Sequence, residues 1–332
     1  MRSDKRRMRP MGIADILDET VELYKTSFAL LVGIAAFVYV PYAILERYVL
    51  AQQVLTVAAK TSSMSGPRMS DLMLMLGTLV VACCYLLATA PLLTGALTYA
   101  ISERFLDRRV GILDSFSRVL SASVFFKLLL VIVIKAVVLA APLALIVFAL
   151  FFIGLSAAGG HVGMGIVLVL VALGLAGGLT AFLLLLRLAL VEVSIVVEGH
   201  GIGHALTRTW VMMRGNMIKC FVLYLIAWIV TGVVTWLCTS PTEGVIMAGA
   251  ATGGHAPQAV LILHTLIGAI SSTVLAPVLS IVTILLYYDI RIRKEGFDLE
   301  LLASELDAKT AAWSGPELPQ EQPAPPDSSA GA

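Results

Sequence analysis

The sequence predicts an all-α integral membrane protein: six transmembrane helices, organised as three repeats of an interfacial amphipathic helix plus a transmembrane hairpin. Three observations carry that prediction. Only 14% of the 332 residues are charged, 59% are apolar, and the mean hydropathy is +0.93. A soluble domain carries about 25% charged residues, so this chain lacks the polar surface to face water on all sides. Six apolar stretches reach the ~20 residues a helix needs to cross the hydrocarbon core. Finally, three segments that each open with Gly-Ile recur ahead of the first, third and fifth stretches.

The spans fall at about 28–49, 72–101, 124–153, 163–197, 217–238 and 259–288. Several exceed the minimum length, which predicts tilt or protrusion into the interface. Pro41, Pro91, Pro142 and Pro277 lie in or near them. In a membrane helix proline kinks more often than it breaks, because neighbouring helices re-satisfy the freed carbonyl. Residues 1–27 precede the six-helix domain of 28–290, and 291–332 form a tail ending "SGPELPQEQPAPPDSSAGA". That composition cannot build a core and predicts disorder. The N-terminal "MRSDKRRMRP" resembles a basic leader, but the apolar run begins only near Phe28, behind an acidic stretch, and no small-residue cleavage site follows. No cleaved signal peptide is expected.

Charge location sets orientation. Eighteen Lys and Arg fall on the side that would hold both termini, and Arg47, Lys60 and Arg68 on the other. The positive-inside rule then places both termini in the cytoplasm, with the inner (plasma) membrane of a bacterium as the expected location. A net charge of +1 argues against bulk nucleic-acid binding. Membrane lipids are the expected partners, with a protein partner or a second copy of the chain as further candidates. Cys83, Cys84, Cys220 and Cys238 form no C-x-x-C pair and read as packing residues.

The repeat is visible at both ends of each hairpin. "GIADILDETVELYKTSF" from Gly12, "GILDSFSRVLSASVFFK" from Gly111 and "GIGHALTRTWVMMRGNM" from Gly201 each carry apolar residues at helical spacing. The stripes are Ile13, Ile16, Leu17, Val21 and Tyr24; Ile112, Phe116, Val119 and Leu120; and Ile202, Leu206, Trp210 and Met213. Each predicts an amphipathic helix at the interface, a depth that suits Tyr24 and Trp210. The even spans correspond through "APLLTGALTYAISER" from Ala90 and "APVLSIVTILLYYDIR" from Ala276, each with an acid twelve residues past the proline, Glu103 and Asp289. The middle copy lacks the proline and carries Glu192 and Glu198.

Three charges inside spans are the sharpest functional candidates. Lys135, Arg187 and Glu192 would each cost several kcal/mol if unpaired in a bilayer, and Lys135 and Arg187 fall at similar depth on neighbouring helices. They read as a polar cluster for an anionic group such as a lipid phosphate, or as a structural ion pair. Arg104, Arg108, Arg109, Arg291, Arg293 and Lys294 are candidate headgroup contacts, each contributing about 1 kcal/mol near an anionic surface. Glu103, Glu198 and Asp289 are repeat-end acids, expected to pair with nearby arginines. In "EGHGIGHA", His200 and His204 lie four apart, but glycines interrupt the stretch and no HExxH order is present. No metal site, cofactor or catalytic set is predicted. Gly159/Gly163 and Gly174/Gly178 have the spacing that permits close helix contact.

"RPMGIADILDETVELYKTSF", "VEVSIVVEGHGIGHALTRTWVMMRGN" and "LLYYDIRIRKEGFD" together resemble the membrane domain associated with glycerophosphoryl diester phosphodiesterases, over most of 9–300. The resemblance implies a free-standing membrane domain. The catalytic barrel of fused members takes about 250 residues, which the segment after the last span does not supply, so no enzyme is expected. The resulting expectation is a membrane anchor, organiser or accessory subunit contacting anionic headgroups. The alternative is a transporter or lipid-handling channel using Lys135, Arg187 and Glu192. In both readings Tyr287 and Tyr288 sit in an aromatic belt where the sixth helix leaves the membrane.

Overall fold

The computed structural model describes residues 10–45, 69–157, 164–251 and 257–296. The N-terminal Arg/Lys cluster, Arg47, Lys60, Arg68, Gly159, Gly163 and the proline-rich tail lie outside the described residues. The chain is all-helical there, in the order α1 (Ile13–Thr26), α2 (Phe28–Leu45), α3 (Met69–Phe105), α4 (Ile112–Val119) and α5 (Ala122–Ala157). It continues through α6 (Met164–Arg187), α7 (Val191–Glu198), α8 (Ile202–Met213), α9 (Met217–Ala251) and α10 (Gln258–Glu295). Among the described residues, six helical segments are long and apolar enough to cross a membrane.

Three boundaries differ from the sequence expectation. The fourth span is two helices, α6 and α7, separated by a turn at 188–190 with no proline or glycine to announce it. The fifth runs on past Cys238 to Ala251, through Pro241. Its polar stretch stays helical because the hydroxyls bond back to carbonyls of their own helix, Thr239 to Thr235 at 3.1 Å and Thr242 to Thr239 at 2.7 Å. The sixth continues past Tyr288 to Glu295, so Arg291, Arg293 and Lys294 stand on the helix and not in a tail. Basic residues in its last turn complement the helix dipole, and Gly296, at φ 62°, ends it in the left-handed conformation that glycine tolerates best.

The short helices α1, α4 and α8 each begin after a glycine and lead within a few residues into a long helix. Asp15 and Asp114 accept hydrogen bonds from the N–H groups of Gly12 and Gly111 at 2.8 and 3.1 Å, closing the first turn. The fourth residue after each glycine (Ile16, Ser115, Ala205) is fully buried, and so is the eighth (Thr20, Val119, Thr209). Of the predicted stripes, Ile16, Phe116, Val119 and Met213 are buried in the bundle, whereas Val21, Leu120 and Trp210 are exposed, as are Leu113 and Val211. Tyr24 donates to the Val274 carbonyl at 2.8 Å, and burial pushes its hydroxyl pKa up.

Packing is tightest in the hairpins α5–α6 and α9–α10, with α10 also against α1, α2 and α3. Of the spanning windows, that of α10 is 44% buried and that of α5 only 11%; α10 is the central post and α5 a peripheral helix whose apolar face is left outward. Tyr287 and Tyr288 are 0% and 1% exposed, so they belong to the core and not to an aromatic belt. Tyr288 stacks on Phe105 at 4.9 Å. The reason is the longer helix: the end of α10 lies among α1, α3 and α8 rather than at the bilayer rim.

Gly174 sits where α6 meets α5: a Cβ there would come within 2.8 Å of the Ile146 side chain, whereas one at Gly178 would meet nothing within 4 Å. Gly174→Val should therefore lower the unfolding temperature in detergent, and Gly178→Val should leave it unchanged. Equal effects from both would refute close packing at Gly174.

Candidate functional site

Two constellations lie toward the end of the bundle where the short helices sit. The outer one is ionic. Asp289, with no exposed side-chain area, accepts the Met11 N–H at 2.7 Å, Arg293 Nε at 3.0 Å and a short hydrogen bond from Lys219 Nζ. Lys219 and Arg293 also donate to the Met11 carbonyl, at 2.7 and 2.8 Å. Met11 is thus held at both backbone groups. Beside it, Glu198 pairs with Arg208 at 2.9 Å and Arg291 at 3.4 Å, and lies 2.8 Å from His200. Glu295 meets Arg208 at 2.7 Å and Arg291 at 3.4 Å. Desolvation works against the Arg208 charge, but Glu198 above all, with Tyr287 and Glu295, outweighs it and raises the pKa. Arg108 lies 3.7 Å from the third repeat-end acid, Glu103.

These pairings redistribute the headgroup candidates. Arg104, half-buried, donates weakly to the Val110 carbonyl at 3.5 Å, and Arg291 is held between Glu198 and Glu295. Lys294 donates to the carbonyls of Val211 and Arg214, both at 2.9 Å. Arg108 and Arg109 stay exposed. His200 and His204 have ring centroids 4.2 Å apart, and no metal-binding group of three or more His, Cys, Asp or Glu is found among the described residues.

The inner constellation is a cavity of roughly 280 Å³. Lys135 Nζ and Glu192 Oε1 face each other across it at 2.9 Å, both largely but not wholly buried. Arg187 is not part of this pair. Its guanidinium lies over the Trp210 ring, 4.0 Å from the centroid, where a cation–π contact contributes about 0.5–2 kcal/mol. The rest of the lining mixes hydroxyls (Thr94, Thr98, Tyr224, Ser280 and Thr283) with aliphatic side chains such as Leu185, Leu279 and Ile284. Tyr224 and Thr283 share a hydrogen bond of 2.7 Å between α9 and α10.

These lining positions have an order of their own. Thr94, Ala189 and Ser280 all line the cavity, and each stands nine residues before its repeat-end acid, Glu103, Glu198 or Asp289. Thr98, Val193 and Ile284 also line it, each five residues before the same acids. The hydroxyls escaped notice in the sequence because serine and threonine are unremarkable in apolar helices; among them only Thr94 and Ser280 share an offset from the acids.

A family model matches residues 11–289. The chain belongs to the family described as a domain of unknown function, DUF7847. The matched segment begins and ends at the two residues joined by the Met11–Asp289 hydrogen bond, so the family boundary coincides with the clasp. The match does not name the glycerophosphoryl diester phosphodiesterase membrane family that the motifs resemble. No curated protein and no solved structure matches the chain.

Two substitutions test the geometry. Asp289→Asn leaves Lys219 and Arg293 without their shared anion and should cost about 3 kcal/mol, read as a lower unfolding temperature in detergent; an unchanged midpoint would show that the clasp is idle. Lys135→Met and Glu192→Gln should each destabilise alone, while the double variant recovers part of the loss. Strict additivity in that cycle would mean the two charges do not interact.

Proposed function

We propose that this protein binds a phospholipid from within the membrane, with the headgroup in the Lys135–Glu192 cavity and an acyl chain in an apolar groove beside it. One observation carries the reading. A groove of roughly 440 Å³ formed by α6, α9 and α10, lined by Phe182, Phe221 and Trp228 among others, borders the polar cavity at Leu185, Tyr224 and Leu279. A polar chamber and an apolar trough that meet at three side chains match an amphiphile better than an ion or a water-soluble solute.

Depth agrees with that orientation. Glu192 lies six residues, or about 9 Å of helix, inside Glu198, whereas Trp228 lies eleven residues, or about 16 Å, beyond Met217. The polar end of the site is therefore nearer the charged end of the bundle and the apolar end deeper, as in a lipid of the leaflet on that side. We take that side to be cytoplasmic, from the distribution of Lys and Arg, in a bacterial plasma membrane. The motifs resembling the phosphodiesterase-associated membrane domain fit a setting of glycerophospholipids. The role inferred is binding or handling of lipid and not its hydrolysis.

We also infer that three repeats generate this site. The same offsets are buried in α1, α4 and α8, and the same offsets from the repeat-end acids line the cavity. The cavity then lies near a pseudo-threefold axis, and only the middle copy supplies charge. A second reading, an anchor or accessory subunit, is favoured by the exposed apolar residues of the short helices, such as Leu113 at 83% and Val211 at 63% exposure. Such faces would seat the helices at the interface or against a partner.

A phospholipid bearing a diazirine near its glycerol tests the main reading. Cross-links should concentrate on peptides carrying Leu185, Tyr224 and Leu279, and Ser280→Trp, which fills the cavity, should abolish that concentration. Cross-links spread evenly around the apolar perimeter would refute it.

A further inference from the structure

The charge balance of the cavity identifies which headgroup it takes. A site for an anionic lipid would present a cation and little else. Here a single ammonium and a single carboxylate, Lys135 and Glu192, stand together, so the empty cavity is formally neutral and offers both signs to a ligand. The remaining polar lining is made of hydroxyls. Thr98 and Ser280 have no protein hydrogen bond among the described residues, and Tyr224 and Thr283 are occupied with each other.

Resting on the lipid-binding reading, we propose that the cavity selects a phospholipid whose headgroup carries both a phosphate and a primary ammonium. The phosphate lies against Lys135, whose three N–H donors are only partly used by Glu192. The ammonium lies against Glu192 and the hydroxyls of Thr98 and Ser280, which accept its N–H bonds. A quaternary ammonium fits less well. It has no N–H to donate and is normally held in a cage of aromatic faces, whereas Tyr224 is the one aromatic ring lining this cavity. An anionic headgroup without an amine would place its charge beside Glu192 with nothing to offset the repulsion. The zwitterion replaces the internal Lys135–Glu192 contact with two contacts of the same kind, so neither buried charge loses its partner.

The test uses the full-length purified chain, stripped of lipid in detergent and offered dioleoyl phosphatidylethanolamine, phosphatidylglycerol or phosphatidylcholine, with retention read by native mass spectrometry. The ethanolamine lipid should be held at least about tenfold more tightly than the other two, the scale of one charge-assisted hydrogen bond. Glu192→Gln should reverse the order in favour of phosphatidylglycerol, because Lys135 is then an unopposed cation. Thr98→Val with Ser280→Ala leaves every charge in place and should shrink the ethanolamine preference without unfolding the protein. If phosphatidylglycerol binds as well as phosphatidylethanolamine to the unaltered chain, or if Glu192→Gln leaves the order intact, the headgroup assignment fails while lipid binding stands. If none of the three lipids is retained, the lipid-binding reading fails with it.

Discussion

A carboxylate with no solvent exposure must be neutralised where it stands, because removing it from water costs several kcal/mol. Asp289 meets that requirement through three separate pieces of chain: the residue ahead of α1, the first turn of α9 and the next turn of its own helix. Those same cations reach on to the Met11 carbonyl, so the charge and the backbone of the incoming chain are satisfied together. The end of α10 is thereby fixed against the start of α1, across almost the whole length of the matched domain. Much else follows from that placement. Tyr287 and Tyr288 are buried because the end of α10 is drawn into the bundle, and Arg291 is brought to Glu198 by the same stretch of helix.

The clasp also has counterparts. The residue two before each short helix is approached by a side chain from a helix exit: Val110 by Arg104, His200 by Glu198, and Met11 by Asp289. In the first two cases the partners are close in sequence, and in the third they are 278 residues apart. The long-range contact ties the end of α10 to the segment that leads into α1. Deeper in the bilayer there is no hydrophobic force drawing one helix to another. Contact there depends on close approach, as at Gly174 against Ile146, and on bonds between helices such as Tyr85 to the Val38 carbonyl.

The six spans were legible because excluding charge from about twenty consecutive residues leaves an unmistakable trace. Their ends were not. Polarity marked the fifth span as finished at Cys238, but threonines that bond to carbonyls of their own helix carry no cost in continuing it, and α9 goes on. Arginines marked the sixth as finished at Tyr288, but each arginine had a carboxylate or carbonyl waiting on a neighbouring turn or helix. At the candidate site, sequence depth grouped Lys135 with Arg187 and left Glu192 to either, and the structure pairs Glu192 with Lys135. Depth alone does not say which way a side chain faces, and Arg187 points to Trp210 on the short helix α8. The hydroxyls of the cavity were the largest omission, since their meaning lies in convergence from three helices.

If three repeats build the site as proposed, both charges, Lys135 and Glu192, fall in the middle copy. The position six residues before the repeat-end acid is Leu97, Glu192 and Thr283 in turn. A carboxylate at all three would crowd three negative charges around one lysine, and in a medium of low dielectric most of them would be driven to protonate. A hydrophobic residue at all three would leave Lys135 unpaired at a depth where that is costly. With one acid against one lysine the cavity is formally neutral, and its charges and hydroxyls share the lining with Leu185, Val193, Leu279 and Ile284. The side shared with the groove, at Leu185 and Leu279, is where hydrocarbon can come close without stranding a charge. On the proposed lipid-binding reading, this asymmetry gives the site a direction, a polar end and an apolar end, which three identical copies would lack.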